Sequence, residues 1–160
     1  MSMIMALLAV IAMVLVDQVV KYWAITVLAP VGSLPLIPGI VQLTYVENRG
    51  AAFSILENQI WLFVLLAVIT LCVIVYALKK KYIQNTWGKF SLLLVCAGAI
   101  GNVIDRVLHH FVVDMIQVTF IHFPVFNIAD IYVTVGVVLF SIYYIFQHKE
   151  VDEKNEAKSE

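Results

Sequence analysis

Residues 90–108 read FSLLLVCAGAIGNVIDRVL. About 20 apolar residues in helical form span the hydrocarbon core of a bilayer, so the length and composition of this stretch predict a membrane helix. It nevertheless ends in Asn102, Asp105 and Arg106, groups that are costly beside lipid. Within it, Gly98, Gly101, Asn102 and Asp105 fall on roughly one helical face. Small residues there let a second helix approach, and Asn and Asp can hydrogen-bond across the gap. Two readings follow: polar residues that hold a bundle together, or the wall of a site. For Asp105 with Arg106 the first is preferred, their task being to hold the surroundings in place.

Three further apolar stretches flank this one, Met3 to Leu28, Ile60 to Leu78 and Ile128 to Gln147. The chain of 160 residues is 62% hydrophobic and only 13% charged, with a mean hydropathy of +0.96, which excludes an ordinary soluble domain. We expect an all-α membrane protein of four transmembrane helices forming one domain over residues 1–147. Residues 148–160 form a charged tail expected to be cytoplasmic and disordered. That tail holds five of the eleven acids, so the net charge of −1 identifies no partner, and no nucleic-acid partner is expected. The first stretch lacks the basic start of a secretory signal and carries Asp17 and Lys21, so it reads as a retained helix. Cys72 and Cys96 fall inside spans as apolar fillers, and Trp23, Trp61 and Trp87 near span ends as interface anchors.

Lys79, Lys80, Lys81 and Lys89 collect in the link between the second and third spans. The positive-inside rule puts that link, and with four spans both termini, in the cytoplasm. Asp17 and Lys21, Asn102 to Arg106, Asn127 and Asp130 then all fall at the outer membrane level, with Asn48, Arg49 and Asp114 in the two external segments. A path for protons or ions needs polar steps at several depths. One-sided polarity predicts a single site near the outer surface.

The external segments VQLTYVENRGAAF and FVVDMIQVTFIHF alternate or are rich in β-branched and aromatic residues, which predicts short strands supporting that site. Gly50, Ala51 and Ala52 allow close backbone approach, and SILENQ could begin a short interfacial helix. Asp17 and Lys21, four apart, share a helix face and read as an ion pair or as groups orienting a site. Asn127 and Asp130 have the spacing of an N-cap and its third helical residue after Pro124. For Asp130 the helix N-terminus favours the charged form, while burial favours the neutral one. Asp114 stands among Val112, Val113, Met115 and Ile116, either turned to water at a strand edge or brought to Asp130 by the fold. His109, His110 and His122 lack a zinc spacing, no metal site is predicted, and no Ser or Cys has a His partner that suggests a triad.

The motifs DQVVK (17–21), ENRGAAF (47–53), GAIGNVIDR (98–106), VVD (112–114) and FNIAD (126–130) together resemble those of lipoprotein signal peptidase, also called signal peptidase II, a bacterial membrane aspartic peptidase. The likeness extends to about Gln147. Ala99 stands where a second glycine is common in that family, a departure that touches packing and not the acids. The resemblance implies a catalytic pair, Asp114 and Asp130, supported by Asp17, Lys21, Asn48, Gly50, Asn102, Asp105, Arg106, Asn127 and Ala129. It implies cleavage of a diacylglyceryl-modified prolipoprotein on the amino side of its lipidated cysteine, without metal or cofactor, by a monomer in the bacterial cell membrane. Membrane lipid is an implied partner, and the inhibitor globomycin is expected to bind at the pair. A small transporter or a non-enzymatic assembly factor are the alternatives.

Overall fold

A computed structural model describes the backbone of residues 2–50 and 59–159 and the side chains within that range up to residue 147. Among the described residues, four helices are long and apolar enough to cross a membrane. The first is α1 (Met3–Trp23), which continues through a π-helical turn at Ala24–Leu28 into the short α2 (Ala29–Val31). Its Ser2 side chain accepts from the Met5 N–H and caps the start. The others are α3 (Ile60–Lys79), α4 (Thr86–His109) and α5 (Ile128–Ser159). All four begin within a few residues of the apolar runs. The helix of α5 continues past Gln147 through the segment for which composition predicts disorder. That segment is rich in Glu and Lys, both strong helix formers, and nothing in it breaks the helix that α5 has already nucleated.

α4 is the central helix, touching α1, α3 and α5. Ser91 to Gly98 on it are buried throughout, whereas α1, α3 and α5 leave Leu7, Leu8, Val19, Ile69 and Val138 exposed. So much outward apolar surface suits a lipid surrounding. Small residues set the spacing of α4. A Cβ at Gly98 would run into the Ala129 carbonyl and Val133 on α5, and one at Gly101 into the Asp17 carboxylate and Ala129.

Among the described residues, three antiparallel strands, β1 (Ser33–Ile37), β2 (Val41–Asn48) and β3 (Val112–Val118), form one sheet in the order β1-β2-β3. β2 and β3 answer to the two patterned external segments. Val46 lies opposite Asp114 and Asn48 opposite Val112, after a register shift between Leu43 and Val46. Alternation along β3 sends Val113 and Met115 into a core with Ala24 and Leu28 of the π-helical turn, so Asp114 faces the other way. The chain then folds back on β3. Phe126 exchanges backbone hydrogen bonds with Ile116 at 2.8 and 3.0 Å, and this delivers Asn127 and the start of α5 beside Asp114. Ala51, Ala52 and most of SILENQ lie outside the described residues.

Candidate active site

Asp114 is 1% exposed. One of its oxygens accepts from the Asn48 amide at 2.9 Å and the other from the Asn127 amide at 2.7 Å. Asn48 reaches it because the two occupy neighbouring positions on one face of the β2–β3 pair. Burial, followed by the nearby charge of Asp130, pushes the Asp114 carboxyl up to about 7, against the lowering effect of its two amide donors. It is not an aspartate turned to water.

Asn127 and Asp130 cap each other. The Asp130 N–H donates to the Asn127 side chain at 2.9 Å, and the Asn127 N–H donates to Asp130 Oδ2 at 3.2 Å, the reciprocal box that their spacing predicts. The cap also belongs to the site. Asn127 uses both hydrogens of its side-chain amide, one on Asp114 and one on Asn102 Oδ1 at 3.1 Å. Asn102 in turn donates to Asp130 Oδ1 at 2.8 Å. Asp114 and Asp130 are therefore joined through Asn127, whose side chain is fully buried and has both of its polar atoms hydrogen-bonded.

Beneath this lies a buried charge cluster. Lys21 Nζ donates to Asp17 Oδ2, Asp105 Oδ2 and Asn102 Oδ1, each at 3.0 Å, so its three hydrogens match three acceptors. Asp17 also accepts the Ala129 N–H, and Asp105 the Val113 N–H, both at 3.0 Å. Gln18, which motif reasoning passes over, bridges the same two acids at 3.1 and 3.0 Å and reaches the Gly101 carbonyl at 3.3 Å. Its signal in the sequence is an amide next to Asp17 in an apolar helix.

Asp105 and Arg106 do not act together. They are adjacent on α4 and point apart: Asp105 enters the Lys21 cluster, while Arg106 stacks its guanidinium 4.8 Å over Phe63 and approaches the Gly50 and Asn102 carbonyls. Arg106, Asn48, Gly50, Asn102 and Asp130 form the polar wall of a cavity of about 490 Å³ whose other wall includes Phe123, Phe126, Ile131 and Val135. Asp130 opens onto it; Asp114 is buried beyond that wall. Gly50 is held by its own N–H, which donates to Asn48 Oδ1 at 3.0 Å. Arg49 stands outside the site, paired at 3.2 Å with exposed Glu47. The arrangement joins two carboxylates, one of them raised, beside an apolar groove, and so can move a proton to and from a bound carbonyl compound.

Residues 9–146 match the family model described as Signal peptidase (SPase) II. The chain is 47% identical over 131 residues to a protein named lipoprotein signal peptidase from Streptococcus thermophilus (strain CNRZ 1066), covering 82% of this chain and 86% of that one. It is 45% identical over 135 residues to another of that name from Streptococcus pyogenes serotype M5 (strain Manfredo), covering 84% and 89%. Among solved structures, a bacterial membrane enzyme determined by the in meso method at 2.3 Å superposes with a TM-score of 0.84 at 34% identity, covering 92% of each chain. A second, at 1.9 Å, gives 0.80 at 36% identity, covering 89% and 93%.

Proposed function

Since the chain belongs to the signal peptidase II family, and is thus a multi-pass membrane peptidase acting on prolipoproteins, we propose that Asp114 and Asp130 are the acids that cut the substrate. The observation that carries this is the bonding of both to Asn127, with Asp114 pushed up to about 7. A pair of neighbouring carboxylates that holds one proton has both a base and an acid ready at neutral pH.

In this reading Asp130, at the cavity wall and the N-terminus of α5, is the base. It takes a proton from water as the water oxygen bonds to the scissile carbonyl carbon. Asp114, neutral because it is buried, lies behind Asn48 on the cavity wall; with the Asn48 amide displaced by the substrate, it hydrogen-bonds the carbonyl oxygen as that oxygen becomes negative. When the carbon–nitrogen bond breaks, the proton passes to the leaving amine and the pair returns to one shared proton. Asn48, Asn102 and Asn127 fix the two carboxyls, and Arg106 lies on the same cavity wall as Asp130.

The bond cut is on the amino side of a cysteine that carries diacylglycerol. The groove beside Phe123, Phe126, Ile131 and Val135 is apolar and opens between helices, which suits a lipid-bearing residue held at membrane level. The lysine-rich link lies at the opposite end of the bundle from the two acids, so the positive-inside rule supports cytoplasmic termini and cleavage at the outer leaflet. The enzyme works as a monomer, and globomycin binds in the cavity at Asp130.

The test is cleavage by the purified protein in detergent, with a lipidated and an unlipidated preprolipoprotein offered separately. Cleavage of the lipidated form alone is expected. Equal cleavage of both would remove the lipid from recognition, and undiminished cleavage by Asp114→Asn or Asp130→Asn would remove the acids from the chemistry.

A further inference from the structure

Asp17 lies some 14 residues along α1 from its start at Met3, roughly 20 Å at 1.5 Å per residue, and Lys21 lies one turn further. At that start, far from the candidate active site, a second cavity of about 500 Å³ forms where α1 begins, α3 ends and α4 begins. Lys79, Lys81 and Lys89 line it, along with the apolar side chains of Met3, Leu78 and Leu93, and among the described residues no acidic side chain does. Among the described residues, none of the three lysines is in an ion pair.

Lysines flanking a membrane helix are common, and Lys79, in the last turn of α3, is favoured there by the helix dipole. The other two are kept against local preference. Lys89 is partly buried in the opening turn of α4, where the positive end of the helix opposes a cation. Lys81 has a φ of 58°, in the left-handed region that at a helix end is usually given to glycine. Three like charges are thus gathered on one cavity, with the positive end of α4 added to them, and a bound anion would relieve their repulsion. A free anion would have no use for the apolar wall below them.

We propose that this cavity binds an anionic phospholipid, its phosphate among Lys79, Lys81 and Lys89 and an acyl chain against Met3, Leu78 and Leu93. The bound lipid would anchor α1, α3 and α4 at this end while leaving the two acids untouched.

Native mass spectrometry of the full-length protein in neutral detergent tests this, with dioleoyl phosphatidylglycerol, dioleoyl phosphatidylcholine and inorganic phosphate as separate probes. One phosphatidylglycerol should be retained in preference to phosphatidylcholine. The triple variant Lys79→Gln/Lys81→Gln/Lys89→Gln should bind it about a hundred-fold more weakly, from about five-fold for each lysine near an anionic lipid surface. Phosphatidylcholine binding should be unchanged by the substitutions. The matching Lys→Arg triple variant keeps the charge and should keep the lipid. Equal phosphatidylglycerol binding by wild type and the Gln variant would overturn the proposal, as would loss of binding in the Arg variant when thermal unfolding shows it folded. Displacement of the lipid by millimolar-range inorganic phosphate would make this a free-anion site and overturn it too.

Discussion

Asp17 and Asp105 share the Lys21 ammonium group, and each also holds the backbone N–H of the residue immediately before one of the two proposed acids: Asp17 holds Ala129, before Asp130, and Asp105 holds Val113, before Asp114. One buried cation thereby fixes the relative position of β3 and the start of α5. The cluster touches neither proposed acid directly and still sets the separation between them.

Removing the cation should therefore harm folding first. Lys21→Met leaves two buried carboxylates without their partner, a change that typically costs about 3–5 kcal/mol. We expect a large fall in the thermal unfolding midpoint in detergent. Adding Asp17→Asn and Asp105→Asn to Lys21→Met should recover much of it, since neutral amides still hydrogen-bond the neighbouring backbone. A Lys21→Met protein as stable as wild type would show that the cluster does not hold the bundle.

Gly101 gives a second handle on the same cluster. A methyl group there would meet the Asp17 carboxylate and the Ala129 side chain, so Gly101→Ala should destabilise by about 1–3 kcal/mol and depress cleavage by shifting the start of α5. Ala99, two positions earlier on α4, gives the comparison. Ala99→Gly should cost only about 1 kcal/mol of helix propensity and leave cleavage near wild type. Comparing unfolding midpoints and cleavage rates for the two variants separates packing at the cluster from a general loss of helix.

What was legible in the sequence followed from local spacing. Apolar run length marks all four spanning helices, the four-residue step from Asp17 marks Lys21, and the three-residue step from Asn127 marks the capping box. Relationships between distant elements were not legible. Lys21 meets Asp105 because α1 packs on α4, and no local pattern records that crossing. Asp114 finds Asn48 through a strand register that includes a shift, and Asn127 through the return of Phe126 onto β3. Asp105 and Arg106 look like a unit in the sequence, yet successive helical positions are about 100° apart, so only one of them faces Lys21. β1 has Pro35 within it and exposed residues throughout, so it lacks the alternation that reveals its partners.

Asn127 combines two roles that substitutions can separate. Asn127→Ala removes the cap of α5 and should cost about 1–2 kcal/mol. Asn127→Ser supplies another good capping oxygen for the Asp130 N–H and should recover most of that stability, but it has no amide hydrogens for Asp114 and Asn102. Cleavage by the Ser variant should stay about ten-fold or more below wild type. If cleavage returned along with stability, the amide of Asn127 would be a cap and nothing more.

The raised Asp114 carboxyl gives the proposed chemistry a pH signature. Its ordinary value of 3.8 applies to the unfolded chain and about 7 to the folded protein, so between these values the folded state holds a proton that the unfolded state has released. Stability should then decline as pH rises from about 4 to about 7, and this part of the slope should be absent in Asp114→Asn. Catalysis should respond on the alkaline side. Once Asp114 gives up its proton, it can no longer donate a hydrogen bond to the carbonyl oxygen as that oxygen becomes negative. The specificity constant kcat/KM for a lipidated substrate should fall about ten-fold per pH unit above about 7. A constant that stays flat from about pH 6 to about pH 9, measured with protein shown to remain folded, would mean that a protonated Asp114 takes no part in the reaction.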